Sequence, residues 1–350
     1  MQTDMHYYGT YAMARAAGLN PDIAKVIATA AEYVDDSDHI EVTLRDGVKV
    51  VSQATAHHPA DRANTNRLDQ WRTWVPFHFL PGNVGSSQDE KLLCAIDSAI
   101  AREMVEHHIS HARQDHAVLL VGIAAHVYSD TFSHYGFSGI SSDYNRVDTS
   151  SVQLHTENRG LIASLRNKAE NFVNRYVGEV VDLFKLGHAS VATYPDRPYL
   201  TWSFTYRDGA RHSGRRENPV TFAQACEHLH RMFALFNGAV PGFFGDASRG
   251  HTFAQIRQAV CDILVVEADV EERIAAWQAA AVAGRLYPNP GREPIPEYDS
   301  SSFEDDLEAL AQLDEKEAKR TLIYQFITAA EVHRNYILDE LLPRHGIRIG

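Results

Sequence analysis

The sequence predicts a mainly α-helical fold with one or two small β-hairpins. Apolar residues recur with helical spacing through most of the 350 residues, whereas only two short stretches alternate around an Asp-Gly turn. Hydrophobic residues make up 44% of the chain and charged residues 23%, which is typical of a globular protein with a buried core. The helices and hairpins follow one another without an internal repeat.

The first predicted helix covers the stretch NPDIAKVIATAAEYVDD. Asn20 suits the cap position and Pro21 the first helical position, and Ile23, Val26 and Ile27 share one face. The next stretch, HIEVTLRDGVKVVSQAT, alternates on both sides of Asp46–Gly47 and predicts a β-hairpin. The following residues up to the next capping signal are irregular.

The remaining elements are predicted mainly as helices. Residues Ser87 to Glu90 form a capping box, which predicts a helix that continues to about His111. A second helix is expected from about His116 to Ser133. Further helices are predicted at about 156–186, 221–237, 252–284 and 304–342, with a second hairpin-like stretch, YLTWSFTYRDGARHSG, after the first of them.

Composition and charge narrow the function classes. The formal net charge of −13 argues against a nonspecific nucleic-acid-binding protein, which would need a basic surface. The three cysteines show no CxxC spacing, so neither a disulfide framework nor a zinc–thiolate site is expected. The sequence shows no signal peptide and no apolar run of the roughly 18 to 20 residues that a membrane span needs. We therefore expect a cytoplasmic protein without a transmembrane segment, while export without a cleaved signal stays open.

Histidine is abundant, with 19 residues, and a motif of polar residues interrupts the apolar stretch GIAAHVYSDTFSH. His126 and Asp130 are four residues apart and therefore lie on one face of the predicted helix, with His134 one turn further on. Burying an unpaired carboxylate is costly, whereas a divalent metal such as zinc accepts mixed nitrogen and oxygen ligands. The motif therefore indicates a metal site. The alternative is a hydrogen-bonded network in which Asp130 accepts from a neighbouring His or Tyr.

Other acidic and histidine side chains occur in similarly apolar surroundings. Asp4 and His6 lie ahead of the first helix. Asp35 and Asp36 end that helix, and His78 is flanked by aromatic residues and proline in WVPFHFLPG. Each has an ordinary explanation on its own, as a solvated helix end or as a packed ring. Together they supply nitrogen and oxygen ligands from separate elements.

The order of these features resembles the zinc-dependent phospholipase C and single-strand nuclease superfamily. An early His, a helix-ending Asp, an HF motif and a central helix with GxxxHxxxDxxxH follow one another over about residues 1–200. Members of the superfamily are multi-helix bundles that hold three zinc ions in a cleft. The chain is also similar to uncharacterised bacterial proteins with the motifs DxHYY and HxYxDTFSH. The resemblance implies the metal ligands His6, His78, His126, Asp130 and His134, with Asp35 or Asp36 as the carboxylate that bridges two metals and orients the attacking water.

The chain departs from the superfamily pattern in three places. Superfamily members use a mature N-terminal amino group as a ligand; this ligand is expected to be absent here, and Asp4 is the expected replacement. The second His follows the acid of the central helix by four residues rather than six. The final His-xxx-acid pair of the superfamily is not evident, and for these ligands His188 and Asp196 are preferred over the alternative pair His155 and Glu157.

These observations predict a metal-dependent hydrolase that cleaves a phosphoester bond with metal-activated water. A phospholipid or another small phosphodiester is the expected substrate, with two or three zinc ions as cofactors, and nucleic acid is less favoured because of the negative charge. There are two alternatives. One is a non-catalytic helical protein that bound metals stabilise, and the other is an iron-dependent enzyme of non-phosphoryl chemistry. We expect one domain over 1–350, with the metal site in 1–200 and the helices of 201–350 packed around it. The sequence indicates no oligomeric state.

Overall fold

Two central helices organise the structure: α2 (Pro21–Asp36) and α7 (Ala117–Asp130). The computed structural model describes residues 1–58, 61–176 and 185–348. Helix α7 is apolar on nearly all sides and is buried almost throughout its length, as expected for a helix in the centre of a protein. Gly122 of α7 lies against α2 so closely that a Cβ atom there would be 2.6 Å from both the Cβ of Ala30 and the carbonyl oxygen of Ile27.

Shorter helices surround this pair. Helix α1 (Thr10–Ala16) is preceded by a π-helical segment, Asp4–Gly9, which carries His6. The other helices of the described residues are α3 (Arg67–Arg72), α4 (Trp74–Phe77), α5 (Gln88–Leu92), α6 (Ala99–Ser110), α8 (Arg159–Tyr176), α9 (Asn218–Ala239), α10 (Phe253–Leu264), α11 (Val270–Val282), α12 (Ser301–Leu310), α13 (Glu315–Ala318), α14 (Leu322–Asn335) and α15 (Leu342–Arg344).

Two small antiparallel sheets complete the described fold. Strands β1 (Ile40–Thr43) and β2 (Lys49–Ser52) form a hairpin in which Ile40 pairs with Ser52. Gly47 has a φ of 87° in the turn, a conformation that glycine adopts without strain. The second sheet has the order β3 (Val147–Leu154), β4 (Thr201–Tyr206) and β5 (Arg216–Glu217).

One large apolar core connects the two ends of the chain. It contains side chains from Met5 near the start to Ile347 near the end, and α9 and α14 both pack on α7. A smaller apolar cluster, which includes Phe137 and Trp202, lies beneath the three-stranded sheet. Within the described residues, no helix is both long enough and apolar enough to cross a membrane.

The prediction of a mainly α-helical fold is confirmed; of the one or two small hairpins expected, β1 and β2 form one, while the second small sheet has three strands. Several predicted helices are interrupted. The helix expected from Ser87 to about His111 stops at Leu92 and starts again at Ala99. The intervening segment turns at Asp97, which has a φ of 45°, and the amide of Cys94 donates to the carbonyl of Phe137 instead of a helical partner.

The other interruptions have similar local causes. The helix predicted at about 252–284 divides into α10 and α11, because Asp269 caps a new helix by accepting from the amide of Glu272. The segment predicted as one helix at 304–342 divides in the same way at Asp314 and at Thr321, which cap α13 and α14. Residues 177–184 of the helix expected at 156–186 lie outside the described residues. Strand β3 was not predicted from the sequence.

Candidate metal centre

The carboxyl end of α7 presents three side chains to one buried point. His126 and Asp130 lie one helical turn apart, and the Nε2 atom of His126 is 3.3 Å from Oδ2 of Asp130. His134 lies in the turn that follows α7, with its Nδ1 atom 3.4 Å from the same oxygen. All three side chains are buried. His126 and Asp130 therefore converge as the spacing predicts, whereas His134 directs its other nitrogen, Nε2, to Asp196.

A first set of potential ligands joins α7 to the start of the chain. It consists of His6, His126 and Asp130, each of which offers one ligand atom within 4.8 Å of the others. The Nε2 atom of His6 is 3.3 Å from Oδ1 of Asp130. The rings of His6 and His126 stack with their centroids 3.8 Å apart. The π-helical segment that carries His6 thus aligns its imidazole with that of His126.

A second set joins α7 to the end of α2 and to the residue after α4. It consists of Asp35, His78 and His126. The Nδ1 atom of His78 is 3.7 Å from Oδ1 of Asp35 and 3.2 Å from Nε2 of His126. The Asp35 side chain is 40% exposed, whereas His78 is 4% exposed and His126 fully buried. Asp35 is therefore where this set meets the solvent.

A third set lies on the other side of Asp130. It consists of His134, His188 and Asp196. The Nε2 atom of His134 is 3.0 Å from Oδ1 of Asp196, and the Nε2 atom of His188 is 3.6 Å from Oδ2 of Asp196. Asp196 is buried and His188 half-buried. We call the three sets together the His–Asp cluster.

Backbone carbonyls orient four of the imidazoles. The Nδ1 atom of His126 lies 2.7 Å from the carbonyl oxygen of Ala31, and Nε2 of His78 lies 2.8 Å from that of Thr55. In the neutral ring, a nitrogen that donates to its carbonyl leaves the other nitrogen with a lone pair that faces the cluster. This arrangement is typical of metal-ligating histidines.

The third set is oriented in the same way. The Nδ1 atom of His134 lies 2.8 Å from the carbonyl oxygen of His78, and Nδ1 of His188 lies 2.7 Å from that of Ala192. Ala192 adopts a φ of 47°, a strained conformation for a residue other than glycine. Such strain is concentrated at functional sites, where it fixes a group in one orientation.

The amino group of Met1 also lies in the cluster. Its nitrogen is 2.6 Å from Oδ1 of Asp130 and 3.5 Å from Oδ1 of Asp196. Burial by itself lowers the pKa of this amine, but the attraction of Asp130, Asp196 and Asp35 outweighs burial and raises the pKa to about 11. The first residues thus fold back onto α7, and the protonated Met1 amine forms ion pairs with these carboxylates rather than acting as a ligand.

The pKa values of the cluster show that it favours ionised carboxylates beside positive charge. Burial raises the pKa of Asp130, but attraction to the protonated forms of His134 and His126 and to the Met1 amine outweighs it and holds the pKa well below the usual range. The pKa of Asp196 is lowered by attraction to His188, once that ring is protonated at acidic pH, and to the Met1 amine. Burial lowers the pKa of His6 to about 3 and that of His188 to about 4, so both rings are neutral at pH 7, the form that binds metals.

Two orphaned atoms indicate that the cluster fits a cation. The Nε2 atom of His6 and the Oδ2 atom of Asp130 are buried and have no hydrogen-bond partner. Buried polar atoms without a partner are rare and costly, and a bound cation would satisfy both. His126 belongs to two sets but has only Nε2 free, so it can complete one of these sets at a time.

Two predicted ligands lie outside the three sets. Asp4 pairs instead with the buried Arg273, whose Nε atom is 2.8 Å from Oδ2 of Asp4. Asp36 accepts a hydrogen bond of 2.5 Å from the hydroxyl of Tyr298. The assignments of Asp4 and Asp36 as ligands are therefore corrected. In both cases the carboxylate pairs with a side chain more than 260 residues away in sequence.

The sequence analysis missed the residues that support the cluster without belonging to it. Arg216 is buried and donates to the carbonyl oxygens of Ser133 and Tyr135, at 2.6 and 2.8 Å, on both sides of His134. The four carbonyls that orient the histidines are backbone groups and have no signature in the sequence. Arg216 lies in the polar stretch SGRRENP, which gives no sign that its side chain is buried.

Comparisons with known proteins give a family but no characterised relative. No curated protein and no solved structure matches the chain. The model of the DUF6765 family, described as a family of unknown function, matches residues 1–341. The chain therefore belongs to the DUF6765 family.

Proposed function

We propose that the protein is a metal-dependent hydrolase of phosphoester bonds. Its substrate is a phospholipid or another small phosphodiester, and its metal is zinc. The superfamily resemblance supplies the reaction class, and the geometry of the His–Asp cluster supports the need for more than one metal.

The position of Asp130 is the observation that carries this proposal. Its Oδ1 atom lies 3.3 Å from Nε2 of His6, and its Oδ2 atom lies 3.3 Å from Nε2 of His126. A carboxylate whose two oxygens face different histidines could hold two cations: Oδ2 has no hydrogen-bond partner, and a cation at Oδ1 would replace the Met1 amine from which Oδ1 accepts. Adjacent divalent cations are the usual arrangement in enzymes that hydrolyse phosphodiesters.

The donor atoms of the cluster favour zinc. The three sets combine imidazole nitrogens with carboxylate oxygens and contain no thiolate. Mixed ligands of this type suit zinc, and iron is the main alternative. Bound divalent cations would lower the pKa of water and neutralise the charge that develops on the phosphoryl group.

Asp35 is the residue suited to act on water at the open side. Its carboxylate is 40% exposed, while the other cluster side chains are buried or half-buried. Attraction to His126, His6 and His78 in their protonated forms, and to the Met1 amine, outweighs burial and lowers the pKa of Asp35, so this carboxylate is ionised at pH 7. An ionised carboxylate at the rim can accept a hydrogen bond from a water molecule and orient it.

The exposure of Asp35 also favours catalysis over a purely structural metal site. A structural zinc site is closed by its protein ligands, whereas a catalytic site keeps a position open to water and substrate.

The acidic residues near the rim, Asp36 and Glu304, make a large polyanion a poor partner. A small phosphodiester can be neutralised by the cations alone.

Metal content and hydrolysis measured together test this proposal. Purified protein should contain two or three zinc ions by mass spectrometry and should hydrolyse bis(p-nitrophenyl) phosphate or phosphatidylcholine vesicles. Chelation should abolish the activity, and added zinc should restore it. Zinc-loaded protein that hydrolyses neither substrate would exclude the hydrolase, and iron in place of zinc would favour the non-phosphoryl alternative.

Two neighbouring residues provide matched variants. Asp35→Asn removes a carboxylate of the second set, whereas Asp36→Asn changes a carboxylate of similar exposure outside the three sets. We expect hydrolysis to fall by roughly 100-fold or more in the Asp35 variant, since removing a general base or water-orienting group has this effect. The Asp36 variant should retain most of the activity.

A further inference from the structure

The segment that carries His6 is held by a buried arginine from the second half of the chain. Arg273 of α11 is fully buried, and its Nε and Nη2 atoms lie 2.8 and 3.0 Å from the two carboxylate oxygens of Asp4. The Nη2 atom also lies 2.7 Å from Oε1 of Gln2, and Nη1 lies 2.8 Å from the carbonyl oxygen of Ala268. Every nitrogen of the guanidinium is therefore engaged.

These contacts lead to His6 through the backbone. The carbonyl oxygen of Gln2 accepts hydrogen bonds from the amides of Met5 and His6, at 2.8 and 3.0 Å. Arg273 holds the side chains of two residues of this turn, Gln2 and Asp4. A two-pronged guanidinium–carboxylate pair fixes orientation as well as position. The turn, and with it the imidazole of His6, is thereby fixed relative to α7.

We propose that Arg273, through Asp4, is a positioning residue for the metal bound by the first set. The inference rests on the metal cluster of the proposed function, but it does not depend on the reaction catalysed. Loss of the pair should weaken metal binding at His6, His126 and Asp130. Binding at His134, His188 and Asp196 should persist, because no contact of Arg273 reaches that set in the described structure.

The pair's contribution to folding has to be separated from its contribution to metal binding. Removing one partner of a buried ion pair leaves an uncompensated charge and strongly destabilises a protein, whereas replacing both partners by apolar side chains of similar size is often neutral or stabilising. The test variant is therefore the double replacement Asp4→Leu with Arg273→Met. It removes the two-pronged contact without burying a lone charge.

The experiment measures zinc stoichiometry and affinity at each set together with the melting temperature. His6→Ala and His188→Ala identify the metals of the first and third sets. We expect the double variant to melt near the wild-type temperature and to lose roughly 10- to 100-fold in affinity for the metal that His6→Ala removes, as is usual when a residue supporting a ligand is lost. The metal that His188→Ala removes should keep its affinity.

Several outcomes would overturn the inference. These are wild-type affinities at both sets in the folded double variant, an equal loss at both sets, or a wild-type protein without metal. If the double variant does not fold, Arg273→Lys is the alternative, because it keeps the charge but not the planar guanidinium. An unchanged affinity for the His6 metal in that variant would also overturn the inference. The exposed pair Arg257 and Glu227, 2.7 Å apart, changed in the same way, is the control that should alter neither metal. Zinc-loaded protein without hydrolytic activity would contradict the proposed function and leave this inference standing.

Discussion

The Nε2 atom of His134 lies 3.0 Å from the Oδ1 atom of Asp196, although 62 residues separate them in sequence. His134 comes from the turn after α7, whereas Asp196 and its neighbour His188 come from the segment that leads to strand β4. The third set is therefore held by the turn after α7 and by the segment before β4. Asp130, by contrast, contacts histidines of every set, since it lies within 3.6 Å of His6, His78, His126 and His134.

Asp130→Asn and Asp196→Asn are therefore expected to affect metal binding differently. Asp196→Asn should remove the metal of the third set and leave the others. Asp130→Asn should lower the affinity of more than one metal, because it removes negative charge from the point shared by the sets. Metal quantification after dialysis against zinc-free buffer distinguishes the two patterns. Loss of the same single metal in both variants would contradict this division of the cluster.

Arg216 is expected to support the third set from beneath. It donates to the carbonyls on both sides of His134, and its guanidinium stacks 3.6 Å above the ring of Tyr135. Arg216→Met leaves these buried carbonyls without donors, which should cost about 1–3 kcal/mol for each carbonyl left unsatisfied. We also expect weaker metal binding at His134. Denaturant unfolding and zinc titration measure the two effects, and Arg215→Met, an exposed neighbour, is the control that should change neither.

The sequence patterns correctly predicted those structural features that depend on residues close together in the chain. The helical spacing of His126 and Asp130 correctly placed both side chains at one point, because α7 forms as its apolar periodicity predicts. The interruption of the predicted helix near Asp97 follows from an unusual φ angle and from a hydrogen bond to a distant loop. A sequence pattern contains neither kind of information.

Distant pairings account for the errors among the polar residues. Asp4 was predicted as a metal ligand. Its actual partner, Arg273, lies 269 residues further on and could not be identified from the sequence around Asp4. His108 stands in the charged stretch EHHISHARQDH, yet it is fully buried against His333, 225 residues away. In both cases the local sequence showed a polar residue in need of a partner, but not which partner.

Gly122 sets the distance between α2, which carries Asp35, and α7, which carries His126. Gly122→Ala places a methyl group 2.6 Å from a backbone oxygen of α2, and the two helices have to separate. We expect a loss of about 1–3 kcal/mol in the free energy of unfolding, together with weaker metal binding by the second set. Gly238→Ala, in α9, is the matched control: no atom lies within 4 Å of the added methyl, and a gain of up to about 1 kcal/mol is expected. Equal stability of the two variants in denaturant unfolding would contradict the close approach.

The buried pair of His108 and His333 predicts that stability falls as the solution becomes acidic. Their rings are joined by a hydrogen bond of 2.8 Å between Nε2 of His108 and Nδ1 of His333, and Nε2 of His333 donates to the carbonyl of Pro76. Burial lowers the pKa of His333 from 6.5 to about 3 and that of His108 well below its usual value. The unfolded chain therefore binds protons at these residues between pH 6.5 and about 3 while the folded protein does not.

The sign of the effect follows from this difference. The stability contributed by the neutral pair is fully present above the unfolded pKa and is lost as the pH falls below it, by about 1.4 kcal/mol per pH unit for each proton taken up only by the unfolded chain. His333→Gln keeps a donor for the Pro76 carbonyl but cannot be protonated. The slope of the unfolding free energy against pH should therefore correspond to about one proton fewer in the variant than in the wild type. Denaturant unfolding of chelator-treated protein between about pH 5 and 8 gives both slopes. A slope that is the same in the variant and in the wild type would show that His333 is not held neutral in the folded protein.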